Sequence, residues 1–398
     1  MPGLQIHATR ERALVTAADA MLRPLAWVRR PAPMRPVRRV LLLRLERIGD
    51  LLMTREAIAL ARAAWPDAQI DLAVGSWNAP LARLIPGIAT VHTLDVPWLA
   101  REGQGQGWPE LMRRARAWKP LGYDVVLNFE PDIRSNALAW LTGAPHRIGY
   151  WTGGGGAFLT HAAAFEATAH VGVNAERLVR AAADATGTET NAARPGPAHL
   201  QLPDAARDRA RTLVSALRRP IVGIHVSGGR ESKQWHLDRF ADVARQLVRD
   251  HGASIVLTGS EADRAMVAHV TTALGDVPVV NAAGALTLVE LAGLLAALDV
   301  FVTSDTGPMH LASAVGTPVV ALFGPADPRR YGPRAARERI LRVDLPCSPC
   351  GQVRLPPVRC RGHVPDCMDG IQVAAVVAAA AELLEQLAQP QPTRIGVH

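Results

Sequence analysis

Short apolar runs, each closed by glycine, proline or turn residues, recur along most of this chain, and stretches of helical spacing separate them. The clearest runs lie at 40–45, 70–74, 91–94, 125–128, 221–226, 254–257, 300–303 and 319–323, with shorter ones at 147–150 and 279–280. Runs this short and this rich in Val, Ile and Leu predict strands buried on both faces, as in parallel sheets. Helical spacing follows at 50–64, 133–141, 238–249, 288–297 and 309–315, and an alanine-rich helix is expected over about 373–387. Strand–helix alternation of this kind predicts an α/β fold with a parallel sheet in each half.

Two stretches break the alternation. Residues 13–28 place Leu14, Val15, Ala18, Met21, Leu22 and Leu25 at near-helical spacing among arginines, with Pro24 interrupting. Such a helix either packs on the body of the protein or lies on a membrane surface. The tetraglycine 153–156 is too flexible for an element interior and reads as a loop. With 398 residues the chain exceeds one comfortable core, so two domains are expected. The Pro-, Thr- and Ala-rich segment up to Pro203 lacks periodicity and reads as their connection. The expected division is an N-terminal extension at 1–37, a first domain at 38–185, a linker region at 186–217 and a second domain at 218–398.

Composition narrows the class. Apolar residues at 48% and charged residues at 20% describe an ordinary globular protein. No apolar run approaches the roughly 18–20 residues of a membrane span, and the N-terminus lacks the apolar core of a secretory signal, which together point to the cytoplasm. The net charge of +8 is carried by arginine, since Lys119 and Lys233 are the only lysines. A chain that uses arginine for generic charge but keeps a lysine in a glycine-rich loop marks Lys233 as a place for a compact ammonium.

Candidate chemistry sits at strand ends. After the run at 300–303, Ser304-Asp305-Thr306-Gly307 supplies turn and cap residues, and Pro308 suits the first helical position. A helix opening there presents orphan N–H groups and the positive end of its dipole to an anion. Thr306 adds a hydroxyl, and Gly307 lets a ligand approach the backbone. The loop Ser227-Gly228-Gly229 leading to Lys233 follows another strand. The loop 46–49 after the first strand has a single glycine, so it is not the dinucleotide fingerprint. Cys347, Cys350, Cys360 and Cys367 have spacing that a structural tetrahedral zinc site permits, with His363 as a substitute ligand; reduced thiols or a labile disulfide fit the same spacing.

Four segments together, RLERIGDLLMTREAI at 44–58, HVSGGRESKQW at 225–235, TGSEADR at 258–264 and SDTGPMHLASAVGTPVVALFGPADP at 304–328, resemble glycosyltransferase family 9, the ADP-heptose–lipopolysaccharide heptosyltransferases. The cysteine series at 347–368 is similar to that of many members. The resemblance implies the GT-B architecture, two Rossmann-like domains facing across a cleft, the first taking the acceptor and the second the nucleotide sugar. It implies an inverting transfer with Asp50 as general base and Lys233 countering charge on the leaving diphosphate. Donor contacts are expected from Ser227, Gly228, Gly229, Glu261, Asp305, Thr306, Gly307 and His310, and acceptor phosphate contacts from Arg134 and Arg147. No cofactor is expected in catalysis. The expected partners are a nucleotide-sugar donor, a phosphorylated lipid or glycan acceptor and the surface of the inner membrane.

Arg55-Glu56 and His236 depart from the residues common in the family beside these motifs, which leaves donor and acceptor identity open. Two rivals remain at this level. A non-hydrolysing sugar-nucleotide epimerase shares the architecture but needs further acid/base carboxylates. A zinc-stapled nucleic-acid-binding protein would fit the charge, yet aromatics are only 5% and the basic residues are dispersed, so nucleic acid is not an expected partner.

Overall fold

The computed structural model describes residues 4–5, 9–27, 35–99, 105–188, 198–353 and 356–388. The chain divides into two compact units, Met1–Gln201 and Leu202–His398. In the first, β1 (Arg39–Leu43), β2 (Gln69–Val74), β3 (Thr90–Thr93), β4 (Val125–Asn128), β5 (His146–Tyr150) and β6 (His161–Ala163) form one sheet. Its order is β3-β2-β1-β4-β5-β6, and every pairing is parallel. In the second, β7 (Ile221–His225), β8 (Ser254–Thr258), β9 (Val279–Asn281), β10 (Val300–Ser304), β11 (Val319–Leu322) and β12 (Glu338–Leu341) form another all-parallel sheet. Its order is β12-β11-β10-β7-β8-β9.

Both orders follow one rule. The chain builds outward from β1 to β3, returns to the middle, and builds the other way from β4 to β6; the second unit repeats this from β7. The central neighbours are β1 with β4 and β7 with β10, and the crevice beyond their carboxyl ends is where open α/β sheets bind ligands. The central strands are buried apart from Arg39 at the start of β1, as their Val/Ile/Leu-rich runs require, whereas the edge strands β3, β6, β9 and β12 are part-exposed. The helices Leu237–His251 and Val373–Ala388 pack over the second sheet, with Trp235, Phe240, Leu247, Val376 and Leu383 in one core.

Two expectations change. The helix expected over 50–64 is two helices, Ile48–Met53 and Arg55–Ala64, meeting at Thr54. Thr54 Oγ1 donates to the Asp50 carbonyl at 2.6 Å, the back-bonding by which a threonine interrupts a helix. Arg55 and Glu56 are buried at the junction, paired at 3.2 Å. Part of the expected linker is a helix, Asp204–Val214, whose alanine face packs on the helix Leu288–Ala297. Gly293 permits that contact, since a Cβ there would lie 2.4 Å from the Ala206 carbonyl oxygen. Residues 189–197 of the same segment lie outside the described residues.

Near the N-terminus, the helix Thr9–Trp27 docks on the tetraglycine loop. Asp19 accepts the Gly155 N–H at 2.6 Å, and a Cβ on Gly154, whose φ is +88°, would lie 2.2 Å from Val15. Among the described residues no helix is long and apolar enough to cross a membrane.

Candidate active site

In the second unit, the loops after β7 and β10 carry Lys233 and Asp305. Lys233 Nζ lies 2.6 Å from Asp305 Oδ2 and donates to the Asp305 carbonyl at 3.1 Å. The ammonium is thus fixed over the turn from which the helix Gly307–Val315 starts. The loop that delivers it is anchored behind by Trp235, fully buried, whose indole N–H donates to the Ile371 carbonyl at 3.2 Å. Gln234 spans the loop, donating to the Val226 carbonyl and accepting the Gly228 N–H, both at 2.8 Å. Ser227 accepts the Gly229 N–H at 3.2 Å.

The N-cap position falls one residue past Asp305. Thr306 is the N-cap residue, in extended backbone, and its hydroxyl sits 3.1 Å from that of Thr303 instead of making a side-chain cap bond. Gly307 and Pro308 begin the helix, so its first turn is open to an incoming anion. His310, on the same helix, is buried. Glu261, after β8, is mostly exposed and paired with Arg264 at 2.7 Å, an arrangement that a ribose hydroxyl can displace cheaply. Beneath these loops, burial pushes the His225 imidazole down to about 4, so it stands neutral, hydrogen-bonded to Thr258 at 3.1 Å.

In the first unit, Asp50 is the third residue of the helix Ile48–Met53, whose N-cap is Arg47; the capping role open to an aspartate in this loop is not its role. Its side chain is about one quarter exposed and lies 3.5 Å from Nη2 of Arg44. Arg44, at the end of β1, is buried and fully engaged. Its Nε donates to the Asp50 carbonyl at 3.2 Å and its Nη1 to the Phe129 carbonyl at 2.8 Å, while Glu46 Oε2 lies 2.7 Å from Nη1. Burial works against the guanidinium charge, but the neighbouring carboxylates, Glu46 first and then Asp50, more than offset it and raise its pKa. Glu130, just past β4, is also buried and accepts the Leu45 N–H. Burial first, then Glu46, pushes its carboxyl up to about 8, so it is the neutral acid of the group. Arg44, Glu46 and Glu130 were not singled out from the sequence; their signal was charged residues inside or just past two apolar runs, which alone is too common to select.

The two arginines expected to meet an acceptor part company. Arg134 opens the helix Ile133–Leu141, is bidentate to Asp132 at 2.5 and 2.9 Å, and stacks 4.5 Å over Trp98. Arg147 lies near the amino end of β5, away from the carboxyl ends where Asp50 stands, and donates to the Ala144 and Phe158 carbonyls at 2.5 and 2.8 Å.

The family profile described as glycosyltransferase family 9 (heptosyltransferase) matches residues 112–355, more than half of the chain and all of the Lys233 and Asp305 loops. The chain belongs to glycosyltransferase family 9. It is therefore a glycosyltransferase, and its two α/β units are those of the GT-B class. Lipopolysaccharide heptosyltransferase 2 of Escherichia coli K12 is 27% identical over 307 residues, covering 74% of this chain and 85% of that protein. A family 9 glycosyltransferase structure from Veillonella parvula matches with a TM-score of 0.73 at 24% identity, covering 90% of this chain and 100% of that one. The E. coli ADP-heptose lipopolysaccharide heptosyltransferase II structure matches at 0.71 and 22% identity, covering 88% and 100%.

This family 9 chain also carries its four cysteines together. Cys347, Cys350, Cys360 and Cys367 line one cavity of about 30 Å³ with Ser232 and Pro325. Burial beside the other three thiols pushes Cys367 up to about 11. All four are free thiols, and among the described residues no three His, Cys, Asp or Glu groups are drawn into a metal-ligand set. The segment that bears them touches the Lys233 loop: Ser232 Oγ donates to the Val353 carbonyl at 3.1 Å, and Glu231 accepts the Gly362 N–H at 2.7 Å.

Proposed function

We propose that this protein is an inverting heptosyltransferase that moves heptose from ADP-heptose to a lipopolysaccharide core acceptor. The observation that carries the reading is the pair of sites at the two switch points: a held, partly exposed carboxylate in one unit, and an ammonium beside an open helix N-terminus in the other. The names of the E. coli relatives support heptose, the ADP-heptose donor and the lipopolysaccharide acceptor.

In this reading Asp50 takes the proton of the acceptor hydroxyl as its oxygen attacks the anomeric carbon. The anomeric carbon–oxygen bond to the diphosphate breaks, ADP leaves with the electron pair, and the configuration inverts. Lys233, Thr306 and the Gly307 N–H meet the charge that grows on the departing diphosphate. Ser227, Gly228 and Gly229 hold the neighbouring phosphate, Glu261 the ribose, and Asp305 and His310 the sugar side. Arg134 remains the candidate for an acceptor phosphate, since it is half-buried at the same sheet end as Asp50; Arg147 keeps that role only if its carbonyl contacts are released. Catalysis runs without a cofactor, because Lys233 and the helix supply the positive field. The shared cavity of the cysteines supports a structural zinc held as thiolates, which would tie the Cys347–Cys367 segment to the donor loop. The protein works in the cytoplasm, against the inner face of the membrane that carries its lipid acceptor, and nucleic acid is not a partner.

The test is purified protein with ADP-heptose and a core lipid lacking the accepting heptose. Mass spectrometry should show one added heptosyl group, and proton NMR should show an inverted anomeric linkage. Conversion of the nucleotide sugar with no acceptor present would refute transfer in favour of epimerisation.

A further inference from the structure

The crowding of carboxylates around Arg44 exceeds what a general base alone needs. Glu46 and Asp50 both face the one buried guanidinium, and Glu130 stands behind it with its own carboxyl turned to the Leu45 N–H. Arg44 and Leu45 are consecutive residues at the point where β1 gives way to the Asp50 loop, so whatever holds Leu45 also holds Arg44. On the β4 side, Glu130 is fixed in turn: its N–H donates to Asn128 Oδ1 at 3.2 Å, and its carbonyl accepts from Asn128 Nδ2 at 3.1 Å. Asn128 itself is buried and bonded to Ser135 and Asn136 at 2.9 and 2.8 Å.

We infer that Glu130 is a positioning residue for Asp50: buried behind Arg44, it pins the end of β1 through the Leu45 N–H and leaves Arg44 to orient and balance the Asp50 carboxylate. The inference rests on the assignment of Asp50 as base. The charges that face Glu130 come from several elements. Arg44 and Glu46 flank it from β1 and its loop, and Asp132 and Arg134 from the start of the next helix. Tyr150 on β5 faces Arg44, and burial raises its phenol so that it stays neutral. With Glu130 protonated, one guanidinium serves two carboxylates. Ionising Glu130 puts a third anion beside it in a site that excludes water, where a charge without its own partner is costly. Arg44 is then shared three ways, and its hold on Asp50 loosens.

The neutral form is favoured below the raised carboxyl value and lost above it, so the wild-type rate should fall as pH rises through about 8. Glu130→Gln keeps an acceptor for Leu45 but cannot ionise, and should lack that alkaline fall. Glu130→Leu removes the acceptor and should lower kcat about 10- to 100-fold at every pH, the scale of a slightly misplaced catalytic group. ADP affinity should not move in either variant, and Glu130→Gln should recover most of what Glu130→Leu loses. The measurement is kcat against pH for the three proteins, with calorimetric ADP binding alongside. A Glu130→Gln profile that keeps the wild-type alkaline fall overturns the inference, and that variant decides the matter even where Glu130→Leu does not fold. An Asp50→Asn enzyme with wild-type turnover would instead remove the base assignment itself, so the two failures are separable.

Discussion

At the switch point of the first sheet a buried guanidinium holds two carboxylates while a third stands behind it; at that of the second, one ammonium is held by one carboxylate beside an opening helix. The strand orders and the positions of the loops are the same in both. The side chains that set the two sites apart, Arg44, Glu46, Asp50 and Glu130 against Lys233 and Asp305, all lie past the ends of their strands, where a side chain can change without disturbing the sheet. A common frame therefore hosts opposite fields: a held carboxylate in one unit and an ammonium beside an opening helix in the other, which in the proposed reading accept a proton and meet a diphosphate. The means of fixing them differ as well. Asp50 is steered through a buried arginine and its neighbours, whereas Lys233 is carried by a loop clamped between Trp235 and Asp305.

The comparison breaks most visibly at Asp50. Asp50→Asn should lower kcat about 10²- to 10⁴-fold, the usual scale for losing a general base. Because Arg47 and not Asp50 is the N-cap, its melting temperature should stay with the wild type, which calorimetry can check. On the other sheet, Lys233→Arg should cost at least about tenfold in kcat, roughly 1.4 kcal/mol of transition-state stabilisation. The guanidinium is broader than the ammonium that now sits 2.6 Å from Asp305, and it cannot reproduce both that contact and an aim at the diphosphate. The smallest expected effect is that of a chelator: the initial rate of freshly prepared enzyme should not change, and recovery of a collapsed rate by magnesium or manganese would contradict a metal-free field at the diphosphate. A slow loss reversed only by zinc would point to the cysteine cavity.

Much of this frame was legible in the sequence, for physical reasons. The central strands announce themselves because burial on both faces leaves few polar positions, as in 40–43 and 319–323. The edge strands His161–Ala163 and Glu338–Leu341 were missed because an edge is short and half-polar. The helices Trp108–Ala117 and Val171–Ala185 were missed too; the first is arginine-rich on its open face, and the second buries small alanines that carry little periodic contrast. Lys233 and Asp305 stood out by residue type and turn chemistry, but their ion pair did not, since 72 residues separate them. Arg44 and Glu130 were not legible as a unit at all, because what joins them is the parallel pairing of β1 with β4. Arg147 shows a further limit: the sequence does not say at which end of the sheet an arginine stands, and its strand places this one near the amino end.

The division of labour between the two units is tested most directly by measuring ADP affinity and single-turnover transfer together in Asp50→Asn and Lys233→Arg. The account predicts that Asp50→Asn binds ADP as the wild type does while transfer falls at least about 10²-fold, and that Lys233→Arg loses both, transfer more than affinity. An Asp50→Asn enzyme that transfers at the wild-type rate, or that fails through lost ADP binding, would contradict it.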